Sequence, residues 1–394
     1  MGIVIKLLLS GVGAALIVWG VRAKQRFGKW KAKVIGGGFL LAAALFAVLL
    51  PKLLFPAYES PAVTGEYAVE TAEYTWVDES RTETYIDTGE KRKLTVKIWY
   101  PVEQPEHSCP LVVFSHGAFG VIDSNHSTCT ELASHGYVVA SIGHTYHAMY
   151  VTDTDGNTDY VNIEFLKQVN AGNGQADDPE SERERYGYSL EWMEVRTADE
   201  NFVLDQILAR ANAAGNVSAG ESVYAAGTVS AAGEENVEPF ALIDVEHIGL
   251  FGHSMGGASS VQVARERSDI DAVIDLEGTM LGEYVGFADG TEVFNEEPYP
   301  VPLLDVNSAA VDAEARALPG DGYVNFYVGE RAADYHYAVI DNAGHLNFTD
   351  LPLVSPLLAG MLGVGEVDAK ECIEEVNALV LDFFDTYLKE APEK

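Results

Sequence analysis

Positive charge is scarce in this chain beyond its first segment. The 394 residues hold 25 Lys and Arg against 60 Asp and Glu. Eight of the basic residues fall in residues 1–55, which contain no Asp or Glu, leaving 17 basic against 60 acidic residues in the rest. A surface of that sign repels polyphosphates, so no nucleic-acid partner is expected. Cysteine is nearly absent. Cys109, Cys129 and Cys372 cannot make a disulfide framework. A Cys109–Cys129 pair stays open if the domain is exported, with three unpaired thiols as the alternative. No His/Cys/Asp/Glu group has metal-ligand spacing, and no glycine-rich loop is built to cradle phosphate. No metal and no cofactor is therefore expected. Internal repeats are also missing. What remains is 47% hydrophobic, enough to bury a substantial core in one large domain or two.

Two long apolar runs open the chain, residues 3–21 and 34–50, the second extending to Phe55 past Pro51 and Lys52. Each is near the ~20 residues a bilayer crossing needs. Between them lie Arg22, Lys24, Arg26, Lys29, Lys31 and Lys33. The positive-inside rule puts that loop in the cytoplasm and everything after about residue 56 outside the membrane. Trp19 and Trp30 suit the interfaces. A signal peptide carries its basic residues ahead of one run, not between two. The expectation is a membrane protein with a two-helix transmembrane anchor at 1–55, a linker at 56–73 and a catalytic domain at 74–394.

That domain alternates strand and helix. Short β-branched or wholly apolar runs at 74–77, 94–100, 111–115, 137–142, 272–275, 301–306 and 337–340 read as strands. Helices are expected at 125–134, 190–212 and 373–388. The pattern implies an α/β architecture with a mostly parallel sheet flanked by helices. Residues 151–189 read as a polar surface excursion and 213–240 as a mobile, low-complexity insertion. In the 190–212 helix the expected apolar stripe is Trp192, Val195, Phe202, Leu204, Ile207 and Leu208, packed on the sheet.

The most informative stretch is Gly252-His253-Ser254-Met255-Gly256. It follows the apolar run 248–251 and precedes a helix-prone segment, so strand, tight turn and helix meet at a serine. This is the context a G-x-S-x-G nucleophile elbow requires. Glycines at 252 and 256 relieve strain and let helix and strand approach. A serine hydroxyl needs a base, and the base needs a carboxylate. Only His336 and His345 lie downstream of Ser254. His336 begins a strand; His345 sits on the loop after one, where a base belongs. The acid is open between Asp275 and Asp312 on spacing, with Glu277 a minor option and Asp305 buried within its strand. Oxyanion donors are expected from the Met255 N–H and from the loop Ser115-His-Gly-Ala-Phe-Gly120, with Ala118 the better donor and Phe119 the fallback. His116 reads as a brace for that loop, and His144 and His147 as pocket-lining candidates.

Taken together, these motifs resemble the platelet-activating-factor acetylhydrolase group of α/β-hydrolases. The resemblance spans about residues 74–350. It is carried by Lys97-Ile-Trp-Tyr-Pro101, by Leu111-Val-Val-Phe-Ser-His-Gly117 with Leu132-Ala-Ser-His-Gly-Tyr-Val-Val-Ala140, by Gly252-His-Ser-Met-Gly-Gly-Ala258, by Val273-Ile-Asp-Leu-Glu277, and by Gly344-His-Leu-Asn-Phe-Thr-Asp350. It implies an α/β-hydrolase fold and a serine esterase or lipase with Ser254, Asp275 and His345 as triad. It also implies Ala118 and Met255 as oxyanion donors and short-chain or lipid esters as substrates. Leu276 stands where that group has an aromatic residue, and residues 151–240 depart from it. A broad carboxylesterase or polyester hydrolase is the alternative activity, and a non-catalytic surface binder the alternative class.

Overall fold

A computed structural model describes residues 30–172, 178–214, 239–318 and 322–389. The chain divides into two units, residues 1–59 with 351–362 and residues 60–350 with 363–394. In the first unit, helix α1 (Trp30–Leu54) runs uninterrupted through Ala, Leu and Val, with Pro51 in its last turn. Its stretch Val34–Leu54 is long and apolar enough to cross a membrane. Ile35, Phe39, Phe46 and Leu53 are exposed along it, as are Met361 and Leu362. The expected first span, residues 3–21, lies outside the described residues, so a single apolar helix is seen here where a hairpin is expected.

The second unit is built on an eight-stranded sheet. Its strands are β1 (Val69–Thr82), β2 (Lys91–Pro101), β3 (Cys109–Ser115), β4 (Val138–Gly143), β5 (Ile243–His253), β6 (Ala272–Leu276), β7 (Leu303–Ser308) and β8 (Tyr335–Ile340). They lie in the order β1-β2-β4-β3-β5-β6-β7-β8. β2 runs antiparallel to both neighbours, and all other pairs are parallel. The parallel strands β3 and β4 are buried at every position, which is why their sequences are continuous apolar runs. β1, at the antiparallel edge, begins at Val69, inside the segment expected to be linker.

Alternate residues along each strand face opposite sides. Leu111, Val113, Leu250 and Val273 pack on one face against Val203, Leu204 and Ile207 of a long helix, α3. Val112, Phe114, Phe251 and Ile274 pack on the other against Val376, Val380 and Phe384. The flanking helices in chain order are α2 (His126–Ser134), α3 (Pro179–Ala214), α4 (Met255–Glu266), α5 (Ala309–Ala317) and α6 (Ala369–Phe384). Residues 151–189, expected as a polar surface excursion, carry regular structure where they are described. They hold a small hairpin of Tyr150–Thr152 with Thr158–Tyr160, a helix at Ile163–Gly172, and the first turns of α3. Asp178 caps α3, its Oδ1 accepting the N–H of Glu180 at 3.1 Å and of Ser181 at 2.8 Å. Its Glu and Arg residues are good helix formers once a cap and a Pro at the first turn start the helix. The low-complexity insertion expected at 213–240 falls almost wholly outside the described residues. The three cysteines are buried and free.

Candidate active site

The elbow forms where β5 ends and α4 begins. Ser254 occupies a left-handed conformation, φ 56° and ψ −124°, uncommon for a residue with a side chain. Strain there projects the hydroxyl beyond the C-terminal edge of the sheet. The glycines make the turn possible. A Cβ on Gly252 would lie 2.2 Å from the Gly256 carbonyl carbon, and one on Gly256 would lie 1.9 Å from the Ser115 oxygen. Ser254 lines a cavity of about 450 Å³ together with Ala118, Met255, Glu277, His345 and Trp192.

His345 sits in a short turn after β8. Asn347 Oδ1 accepts the N–H of Gly344 at 2.9 Å and of Gly365 at 2.7 Å, which clamps the turn. His253, beside the serine, lies with its Nε2 2.9 Å from the His345 carbonyl oxygen, and the two rings are 4.6 Å apart. Burial and the neighbouring His345 hold the His253 imidazole well below its ordinary pKa, so it is a neutral donor. His345 itself is open to the cavity.

The carboxylate on His345 belongs to Glu277. Its Oε2 is 2.9 Å from His345 Nδ1, and its Oε1 accepts the Ser308 N–H at 2.9 Å. The Glu277 side chain is only 1% exposed. With the proton on Nδ1, Nε2 is left as the acceptor. The expectation of Asp275 is corrected by the geometry. Asp275 lies within β6, paired in register with Asp305 on β7. Its Oδ1 accepts the Gly278 N–H at 2.9 Å, and a Cβ on Gly257 would fall 1.9 Å from that oxygen. Asn325 Nδ2 approaches both Asp275 and Asp305, at 3.4 and 3.3 Å. Burial and the adjacent Asp305 push the Asp275 carboxyl well above its ordinary range, while burial takes Asp305 up to about 7. This pair is enclosed under the elbow. Strands rise about 3.3 Å per residue, so Glu277 stands roughly two such steps nearer the loops that carry His345. It also leaves the strand with φ 54°, which redirects its side chain. Asp312 is elsewhere again, on α5, bonded to Arg316 and to the Tyr337 hydroxyl. His336 is exposed and bonded to Tyr387 at 2.8 Å.

Met255 and Ala118, the expected oxyanion donors, both line the cavity. The N–H of Met255 opens α4, where the helix dipole favours an anion. That of Ala118 follows Gly117, where an added Cβ would lie 2.9 Å from His253 Nδ1 and 3.1 Å from Ser254 Cβ. Neither donates to an acceptor among the described residues. Phe119, the fallback donor, is committed, since its N–H bonds the His147 oxygen at 3.0 Å.

A charged network lies beneath this loop, in a position the sequence did not reveal. The α3 face that packs on the sheet includes fully buried Arg196, Asp199 and Glu200, whereas Val195, Phe202 and Leu208 of the expected stripe are only partly buried. Arg92 donates to both Asp199 oxygens, at 3.0 and 2.6 Å, and His144 Nδ1 lies 2.9 Å from Oδ2. Burial alone would raise the Asp199 carboxyl, but Arg92 and His144 hold it well below its ordinary range. His144 also meets Ser115 Oγ at 2.9 Å. This second Ser-His-Asp line is fully buried and away from the cavity, and burial with Arg196 nearby drives His144 down to about 3. His147 is likewise buried rather than lining the cavity. His116 is spent on the loop, with Nδ1 2.7 Å from the Gly117 oxygen and Nε2 accepting the His144 N–H at 3.4 Å. A 3.6-residue spacing places 192, 196, 199, 203 and 207 on one face, and that spacing was the available signal for the network.

Comparison with known proteins bears on the family and the fold. The model of the family "Platelet-activating factor acetylhydrolase, isoform II" matches residues 66–392. The chain is 26% identical over 301 residues to a platelet-activating factor acetylhydrolase of Gallus gallus, covering 72% of this chain. It is 25% identical over 292 residues to that of Bos taurus, covering 71% of this chain. It spans 63% and 57% of the length of those two relatives. Among solved structures, a ferulic acid esterase from Streptomyces cinnamoneus superposes with a TM-score of 0.57 at 22% identity, covering 86% of this chain and 95% of that one. That likeness shows the fold.

Proposed function

The chain belongs to the platelet-activating factor acetylhydrolase isoform II family, and from that membership we propose that it is a serine ester hydrolase working through Ser254, His345 and Glu277. The observation that carries the reading is the Glu277–His345 bond of 2.9 Å on the wall of the cavity that holds the strained Ser254. In this mechanism His345 Nε2 takes the Ser254 proton as Oγ attacks the ester carbonyl. Glu277 stabilises the imidazolium that results. The carbonyl oxygen, now an anion, accepts from Ala118 and Met255 N–H. Collapse expels the alcohol, which receives the proton from His345, and leaves an acyl ester on Ser254. Water, deprotonated by His345, then releases the acid and restores the serine.

Substrate choice follows from the cavity. About 450 Å³ suits a short acyl group with part of its alcohol, and Trp192, Val169 and Leu281 supply apolar wall. An acetyl or other short-chain ester, including one on a phospholipid, is the proposed class, in keeping with the names of the two curated relatives. Fluorophosphonate labelling tests the chemistry. Labelling is expected in the full-length protein and lost in Ser254→Ala, and an unlabelled but folded protein would sink the reading. A panel of p-nitrophenyl esters from acetyl to dodecanoyl tests the class, with turnover expected to fall as the chain lengthens.

Membrane attachment with the catalytic unit outside is part of the same proposal. Support comes from the exposed apolar surface of α1, from Met361 and Leu362, and from the six basic residues at 22–33. Protease added to intact cells is expected to degrade the catalytic unit, and its protection would reverse the topology.

A further inference from the structure

Arg196 is fully buried on α3, directly behind the loop that follows β3. All three of its nitrogens are committed. Nε donates to His147 Nδ1 at 3.1 Å, Nη1 to the His116 oxygen at 2.7 Å, and Nη2 to the Gly117 oxygen at 3.3 Å. Resting on the ester-hydrolase reading, we propose that Arg196 is a positioning residue for the oxyanion hole, holding the Gly117–Ala118 peptide so that its N–H faces the reacting carbonyl.

The geometry follows from the planarity of the peptide. In a trans peptide the C=O and the next N–H point in opposite directions. The Gly117 oxygen is drawn towards the protein interior by three groups: Arg196 Nη2, His116 Nδ1 at 2.7 Å and the Gly120 N–H at 3.1 Å. The Ala118 N–H of the same plane is thereby turned outward, and Ala118 lines the Ser254 cavity. Without such anchors this glycine-containing loop can rotate the peptide and withdraw the donor.

The choice of arginine supports the assignment. Its fork spans two successive carbonyls and an imidazole at once, which a point-like ammonium cannot do. Its partners are neutral, so it is not there to close an ion pair. Asp199 and Glu200, one turn further along α3, supply the balancing field, and burial lowers the guanidinium only to about 10, so it stays charged at neutral pH. A cation on the carbonyl side also polarises the peptide, making its N–H a stronger donor to an anion. The anchor is itself held in place. His147 stacks on Phe165 at 3.8 Å, and its Nε2 meets the Tyr85 hydroxyl at 2.5 Å.

Arg196→Lys and Arg196→Ala, with Ser254→Ala beside them, test the assignment on p-nitrophenyl acetate. Rates are taken per active site by fluorophosphonate titration, so that misfolded protein does not count. The expected result is kcat lower by about 10- to 100-fold with KM changed by less than about threefold, because a misplaced oxyanion donor acts on the transition state. Affinity for a trifluoromethyl ketone inhibitor should fall in proportion, and guanidinium ions should restore part of kcat in Arg196→Ala. A purely structural role would lower the titratable fraction and leave kcat per site unchanged. That outcome in Arg196→Lys, with Ser254→Ala inactive, overturns the proposal and leaves the ester-hydrolase reading standing. Retained activity in Ser254→Ala removes both. Should neither Arg196 variant fold, a phosphonate adduct of the unaltered protein decides. Its phosphoryl oxygen is expected about 3 Å from the Ala118 nitrogen with Gly117 still on Arg196, and a different donor overturns the assignment.

Discussion

Glu277→Gln is the sharpest perturbation of the proposed site. The Ser308 N–H donates to Glu277 Oε1, so the oxygen of a glutamine is held on that side. Its NH2 then faces His345 Nδ1, which a carboxylate oxygen now meets at 2.9 Å. Two donors cannot share that bond, so His345 must give up its Nδ1 proton and carry it on Nε2. An imidazole in that tautomer cannot accept the serine proton, and the charge that steadied the imidazolium is gone. The corresponding carboxylate-to-amide exchange in a Ser-His-Asp triad lowers turnover about 10⁴-fold. His345 is 46% exposed here, so water softens the effect. A fall in kcat of roughly 10² to 10⁴ is expected, or about 3 to 5 kcal/mol in the barrier. The assay is steady-state hydrolysis of p-nitrophenyl acetate, with the melting temperature as a control for folding. Asp275→Asn should stay within about threefold of the parent, since its Oδ1 can still accept the Gly278 N–H. Asp312→Asn should be near-neutral too, because among the described residues Asp312 bonds Arg316 and Tyr337, away from the cavity. Loss of activity in Asp275→Asn with retention in Glu277→Gln would refute this assignment.

The buried Asp275/Asp305 pair gives the protein a pH-dependent liability. Asp305 is raised to about 7 by burial, from about 3.9 in an unfolded chain, so the folded state binds more protons between those values. Stability is therefore spared below pH ~4 and declines as the pH rises towards 7, by on the order of a few kcal/mol from this site. Asp305→Asn should flatten that decline in urea titrations run from pH 4 to 7, and Asn307, whose buried Oδ1 has no partner among the described residues, can flip to pair with the new amide. An unchanged slope would count against the pair. Gly256→Ala should lower both the melting temperature and kcat, since its Cβ would lie 1.9 Å from the Ser115 oxygen and must force α4 off β3. Such overpacking costs about 1 to 3 kcal/mol or more, and a variant of normal stability would show that the elbow can spread.

The carboxylate that reaches His345 is Glu277, a minor option in the sequence, and the strand boundary is one residue later than expected. Spacing leaves Asp275, the last residue of the expected strand 272–275, level with Asp312, and the family resemblance favours Asp275. The strand runs to Leu276, so the first residue past its edge is Glu277. No spacing rule sees that step, because Glu277 turns out of the strand by adopting a positive φ. The buried charges of α3 were missed for another reason. Helical spacing puts 196, 199 and 203 on one face, but charged residues are ordinarily assigned to solvent, and only partners from other elements, such as Arg92 and His144 on Asp199, make their burial tolerable.

What the sequence by itself determined is local. Continuous apolar runs required buried parallel strands, and Gly252, Ser254 and Gly256 between strand and helix required a strained turn. His345 followed from being the one downstream histidine on a loop after a strand. What only the tertiary structure decided is which groups meet across sequence. Glu277 reaches His345 across 68 positions, and Arg196 reaches Gly117 across 79. Those meetings depend on strand register, on the ends of strands and on which helix face is covered. Each is set by packing summed over the whole sheet, and none is written in the neighbourhood of the residue concerned.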